Sequence, residues 1–230
     1  MIPLTVPALG SEEIAAAERV LRSGMLVQGR EVQQFESELA QRTQRRHAIA
    51  VSSGTAALEL ALRALGVGPG DEVLVPALTW PSPGHAVLAV GASVGLVDVD
   101  PEEWNAHAFE LGPRTRAVIA IDQFGNPARQ RELASLAVPL IVDAACSLGS
   151  SYEGRPCGSF GAIATMSFHP RKVLTTGEGG ACLTDDDALA ERISVLANYG
   201  LDPRALHDGH HGVPGARFHA RAEGWNASLD

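Results

Sequence analysis

The chain has 230 residues, 45% hydrophobic, 20% charged and 5% aromatic, with a formal net charge of −9. That length can bury a substantial core as one large domain or two small ones, and the composition is ordinary for a soluble globular protein. The acidic balance argues against a nucleic-acid backbone or an anionic membrane surface as partner, although small phosphorylated ligands stay open.

Cysteine usage and the N-terminus carry the same kind of exclusion. Cys146, Cys157 and Cys182 are odd in number and form no C-x-x-C pair, so neither a disulfide framework nor a zinc knuckle is expected, and a reducing cytoplasm fits best. The opening Met-Ile-Pro-Leu-Thr-Val-Pro has neither a basic region nor an apolar core, which gives no signal peptide. The uncharged stretch around residues 86–97 is too short and too glycine-broken to span a bilayer.

Taken in order, residues 11–23 read as a helix. Ser11 caps it, Glu12 and Glu13 suit its positive end, Ile14, Val20 and Leu21 supply an apolar side, and Gly24 stops it. A second amphipathic helix follows Gly29, with Val32, Phe35 and Leu39 on one side. The pattern then alternates. Strands are expected at 47–52, 72–75, 93–98, 116–121 and 139–143, and helices at 55–65, towards Val90, and near 129–136. A β-like run, Ile163-Ala-Thr-Met-Ser-Phe168, leads into a glycine-rich bend, and residues 186–198 form a last helix. Continuous apolar strands separated by helices indicate an α/β domain whose mainly parallel sheet is covered on both faces. Beyond Gly200 the chain becomes irregular. His207, His210, His211 and His219 fall there, but no carboxylate or cysteine completes a ligand spacing, so a polar loop without metal is expected.

Four features lie at strand ends and helix starts, where sheet folds place ligands. Ser52-Ser53-Gly54-Thr55 follows a strand and opens a helix; free N–H groups and hydroxyls make it either a phosphate cradle or an ordinary helix cap. Asp143 closes an apolar strand and needs a positive or hydrogen-bonded partner, such as a protonated pyridine nitrogen, unless it merely caps the next turn. Trp80, just after a strand in an aromatic-poor chain, is a stacking surface for a flat ring or a core residue. Lys172 sits in Ser167-Phe-His-Pro-Arg-Lys-Val-Leu-Thr-Thr-Gly-Glu-Gly-Gly180, where a desolvated amine becomes a nucleophile, with Ser167, Thr175 and Thr176 as hydroxyl donors nearby. An amine, a carboxylate, an aromatic face and a phosphate cup together are an inventory for pyridoxal phosphate.

Motifs across the whole chain resemble the fold-type I, pyridoxal-phosphate-dependent sugar aminotransferases of the DegT/DnrJ/EryC1/StrS family. They include Val51-Ser-Ser-Gly-Thr-Ala-Ala57, Phe124-Gly-Asn-Pro127, Asp143-Ala-Ala145, Gly158-Ser-Phe-Gly161 and the lysine run 167–180, the most specific of them. The resemblance implies a three-layer fold with a mainly parallel central sheet. It also implies transfer of an amino group, usually from glutamate, to a nucleotide-linked keto sugar. Position by position, Lys172 matches the Schiff-base lysine that shuttles a proton, and Asp143 the partner of the pyridine nitrogen. Gly54, Thr55 and Ser167 match the phosphate binders, and Trp80 the ring-stacking aromatic. Gly224-Trp-Asn226 matches an element whose asparagine reaches the cofactor phosphate of a neighbouring subunit, implying a homodimer.

Three departures accompany the match. Cys146 stands where Gln or His is common, Asp122-Gln123 replaces a His-Leu pair, and the chain ends at Asp230, where relatives continue into a C-terminal domain. The expected division is therefore a pyridoxal-phosphate-binding large domain over 1–200, with its N-terminal helices, and an irregular loop with the start of a truncated C-terminal segment over 201–230. The alternatives are a dehydratase of the same fold, in which histidine replaces the lysine, and a catalytically silent cofactor-binding fragment. Retention of Lys172 speaks against the dehydratase.

Overall fold

Glycine, not serine, opens the first helix. In the computed structural model, which describes residues 2–3, 5–201, 223–224 and 226–228, α1 spans Ser11–Ser23 with Gly10 at its cap. The Glu13 carboxylate accepts the Gly10 N–H at 2.7 Å, which satisfies that donor without a serine hydroxyl and leaves Ser11 inside the first turn. Gly24 closes the helix at φ 71°, as glycine can at little cost. The expected apolar side of α1 buries no residue against the described chain. The second helix, α2 (Arg30–Thr43), does pack, through Leu39 and half-buried Phe35.

The alternating unit begins with β1 (His47–Val51), α3 (Gly54–Ala64), β2 (Glu72–Pro76), α4 (Ser82–Ala89), β3 (Ser93–Val97) and β4 (Thr115–Ile121). A single 3-10 turn at Gln123–Gly125 follows, then α5 (Gln130–Leu133) and β5 (Leu140–Asp143). A two-residue hairpin, β6 (Ser151–Tyr152) with β7 (Arg155–Pro156), precedes β8 (Ile163–Ser167), β9 (Gly180–Thr184) and α6 (Asp187–Ala197). The helix expected near 129–136 is one turn long. After it the backbone tightens, with the Ser135 N–H and hydroxyl both donating to the Glu132 carbonyl.

The main sheet has seven strands in the order β1-β9-β8-β5-β4-β2-β3. β9 runs antiparallel to both neighbours, and the other pairings are parallel. It is the element that the sequence reading lacks. Its Gly-Ala-Cys-Leu-Thr follows a glycine-rich bend, yet all five residues are buried and paired on both edges. Alternation along the strands builds two cores. Ile119, Ile141 and Ile163 face Leu58, Leu62 and Ile193 of the helical layer on one side. On the other, Val118, Leu140 and Met166 face Leu39, Phe109 and Phe168. Because the six strands other than β9 share one direction, their C-terminal ends open along one sheet edge. Residues 52–55, Asp122, Asp143 and Ser167 all stand there.

Candidate active site

The cup at this edge is built from helix geometry. The first N–H groups of a helix have no partner within it. Ser53 caps α3 and takes one of them, the Ala56 N–H on its hydroxyl at 3.1 Å, while its carbonyl accepts the first regular helix bond from the Ala57 N–H at 3.0 Å. Those of Gly54 and Thr55 remain at the positive end of the helix. Ser167, ending β8, lies directly against Gly54, where an added Cβ would come 2.8 Å from Ser167 Cβ and 3.3 Å from its Oγ.

Gly180 approaches closer still. A Cβ there would meet the Ser53 carbonyl carbon and oxygen at 2.5 Å and the Gly54 nitrogen at 2.7 Å. Residues 53–54, 167 and 180 therefore converge only because two of them lack side chains. Gly180→Ala should destabilise the chain by about 1–3 kcal/mol, because backbone must move. Gly84→Ala, in open space within α4, should be neutral or stabilising by up to about 1 kcal/mol. Denaturant titration of the two variants checks the contrast.

Asp143, at the end of β5, lies between Ile121 on β4 and Thr165 on β8. Its Oδ1 accepts the Ala145 N–H at 3.1 Å. Burial pushes its carboxyl up to about 6, the Ala145 N–H and the Lys172 charge pull it back, and Asp122 raises it further. Beside it, Thr165 Oγ1 is buried with no hydrogen-bond partner among the described residues. A carboxyl held this far from its ordinary range, next to an unsatisfied hydroxyl, suits a cationic hydrogen-bonding group.

Lys172 lies on the turn after β8, its N–H donating to the His169 carbonyl at 2.8 Å. The side chain is half-buried, and Nζ donates to Cys146 Sγ at 3.1 Å. Cys146 is exposed, unlike Cys157 and Cys182, whose thiols burial pushes up to about 12. Trp80 stands on the loop after β2, 69% exposed, and so is not a core residue. The Arg171 guanidinium lies 5.8 Å from its ring centroid, which ties Trp80 to the lysine turn. Lys172, Asp143, Gly54, Thr55, Ser167 and Trp80 thus share one sheet edge.

Asn226 is exposed and bridges to Asn198 after α6. Ala227 next to it is buried, accepting the Ser52 N–H and donating to the Ala197 carbonyl, both at 2.9 Å. The segment therefore runs beside the cup's own chain. Trp225 and the histidines at 207, 210, 211 and 219 lie outside the described residues.

Two residues that the sequence marks only as departures, Asp122 and Cys146, take part in the site. Asp122 directly follows β4, as Asp143 closes β5. It is buried, which raises its pKa above the ordinary range. Its oxygens accept from Gln130 Nε2 and Ser147 Oγ at 2.6 Å and from the Ala128 N–H at 3.0 Å. Since Ser147 follows Cys146, this network holds the turn that presents the thiol. The Cys146–Lys172 contact joins residues 26 apart, a pairing that no local spacing reveals.

The chain matches the DegT/DnrJ/EryC1/StrS aminotransferase family over residues 7–221. Among solved structures it is similar to an aminotransferase from Psychrobacter cryohalolentis, with 33% identity and a TM-score of 0.90 over 97% of this chain and 59% of that one. It is similar to the aminotransferase TlmJ from Streptoalloteichus hindustanus, with 35% identity and a TM-score of 0.89 over 100% of this chain and 62% of that one. A sugar aminotransferase from Streptococcus pneumoniae in its PLP form shares 26% identity and a TM-score of 0.87, over 99% of this chain and 63% of that one. The chain spans about three fifths of the length of each.

Proposed function

The chain belongs to the DegT/DnrJ/EryC1/StrS aminotransferase family, and from that premise we propose that it moves an amino group from glutamate to a ketone carbon of a nucleotide-linked sugar. Pyridoxal phosphate is the cofactor of these enzymes. The observation that carries the reading is the meeting, at one sheet edge, of a half-buried amine, a buried carboxyl raised to about 6 and a glycine-lined cup.

These residues fit the group. A Cβ at Gly54 would press on Ser167, and one at Gly180 on the Ser53–Gly54 backbone, so both glycines are needed to bring these groups together, and the Asp143 carboxyl with the orphaned Thr165 hydroxyl calls for a polar occupant. When bound, pyridoxal phosphate supplies an aldehyde that bonds amines and a ring that withdraws electrons once its nitrogen is protonated. Asp143 would accept a hydrogen bond from that nitrogen and so favour its protonated form. The N–H groups of Gly54 and Thr55, with the Ser167 hydroxyl, would hold the phosphate, and Trp80 would offer a stacking face. Lys172 Nζ would bind the aldehyde and move the proton at the reacting carbons, with Cys146 Sγ accepting a hydrogen bond from it.

The chain should yield amino sugar and 2-oxoglutarate in equal amounts from glutamate and a nucleotide-linked keto hexose. A sugar that loses water without gaining nitrogen would overturn the transfer reading in favour of dehydration. A homodimer follows if Asn226 serves the neighbouring subunit's phosphate. Mixing inactive Lys172→Ala chains with Asn226→Ala chains should then restore activity by leaving one site of each mixed dimer intact. No gain on mixing would remove the shared-site arrangement.

A further inference from the structure

Two more aromatic rings stand at this edge, and packing explains neither. Trp104, between β3 and β4, and Phe124, in the turn after β4, meet edge to face with centroids 5.3 Å apart. They remain 50% and 67% exposed. Both occupy left-handed backbone, at φ 60° and 55°, where a bulky side chain costs about 1–3 kcal/mol. The Trp104 indole N–H is tied to the Pro101 carbonyl at 3.0 Å, yet the apolar faces of both rings stay largely in water. The pair is nonetheless held firmly. The buried Asn105 side chain accepts the Gln123 N–H at 3.2 Å and donates to the Asn126 carbonyl at 3.0 Å, clamping both flanks of Phe124. Asn105 also follows Trp104 directly, so one residue fixes both rings.

The turn that carries Phe124 packs against the residue in contact with the amine. Gly125, next to Phe124 and at φ 88°, packs so closely that its Cβ would sit 3.0 Å from the Cys146 carbonyl. The Cys146 thiol in turn touches Lys172 Nζ. Two nearby carboxylates, Glu103 and Asp100, are engaged within the protein. Glu103 meets Arg129 and His107 at 3.0 Å, and Asp100 accepts the N–H groups of Glu102 and Glu103 at 2.8 and 2.9 Å. What remains is an uncharged pair of aromatic faces, and the C–H face of a neutral ring fits such electron-rich faces.

We propose that Trp104 and Phe124 are the stacking platform for the pyranose ring of the acceptor, and so determine which sugars the site admits. This rests on the sugar-aminotransferase reading above. Saturation-transfer NMR on the cofactor-loaded chain, with UDP-glucose, TDP-glucose and GDP-mannose as probes, tests it. The pyranose protons of at least one probe should receive strong transfer. Phe124→Asn and Trp104→Asn, which keep a residue tolerant of left-handed backbone, should cut that transfer at least about fivefold, while Phe124→Tyr retains it. An unchanged thermal transition and visible cofactor band would show that the Asn variants fold. Undiminished pyranose transfer in those variants, or transfer confined to base protons, overturns the platform while leaving the sugar reading intact. Absence of any sugar transfer in the wild-type chain overturns both.

Discussion

Lys172→Ala should erase the visible absorbance of lysine-bound pyridoxal phosphate and slow amino transfer by roughly 10⁴-fold or more, the upper range for loss of a positioned proton-transfer group. The expectation is unusually sharp because Lys172 is the only lysine among the 230 residues. No neighbouring amine can substitute, and Lys172→Arg offers no rescue, since a guanidinium neither gives up its proton nor forms the bond. A small primary amine added to Lys172→Ala should restore part of the rate, because the cup and Asp143 remain. Absorbance spectra and single-turnover rates check both halves. Turnover at wild-type rate in Lys172→Ala would remove the lysine from the mechanism.

Asp143→Asn should act in opposite directions with and without cofactor. Burial sets the folded carboxyl at about 6 against 3.8 ordinarily. Between those values the folded chain keeps a proton that the unfolded chain has released, so stability of the cofactor-free protein falls as pH rises through the window. At about 1.36 kcal/mol per unit, the penalty at pH 7 is about 3 kcal/mol. Asp143→Asn removes it, so the cofactor-free variant should be the more stable at pH 7 and nearly equal to wild type at pH 4. Once the ring nitrogen pairs with the carboxylate, the same ionised group becomes favourable. The loaded variant should therefore lose its advantage and transfer amino groups at least about 10²-fold more slowly. Denaturant titrations at both pH values, with and without cofactor, would read the sign change. A stability difference between wild type and Asp143→Asn that stays the same from pH 4 to 7 without cofactor would contradict the buried-carboxyl account.

The sequence alone reveals those parts of the fold and site that depend on local pattern. Apolar strands followed by serine, aspartate or a glycine-rich turn place residues 52–55, Asp143 and Lys172 at strand ends, where Ser53 also caps α3 and Asp143 also caps its own turn, as the plainer readings have it. What it hid depends on long-range pairing. β9 is a buried antiparallel strand because β1 and β8 both pair with it, and nothing in Gly-Ala-Cys-Leu-Thr announces those neighbours. Gly180, which reads as loop, begins that strand and seats Ser53. The Cys146 thiol reaches Lys172 because Asp122 and Ser147 fix its turn. The pairing of Trp104 with Phe124 is hidden because aromatic residues in left-handed backbone run against their ordinary preference. The capping of α1 was misassigned for a smaller reason, since a glutamate reaching back can replace a serine hydroxyl.

The central claim is that one amine, aimed by one sheet edge, carries the cofactor. Borohydride reduction of the pyridoxal-phosphate-loaded chain, followed by peptide mass mapping, tests it most directly. The predicted result is a single pyridoxyl group on the peptide containing Lys172, lost when excess glutamate is added before reduction. A pyridoxyl group found only on the N-terminal amine of Met1, or labelling of Lys172 that glutamate leaves untouched, would contradict the account.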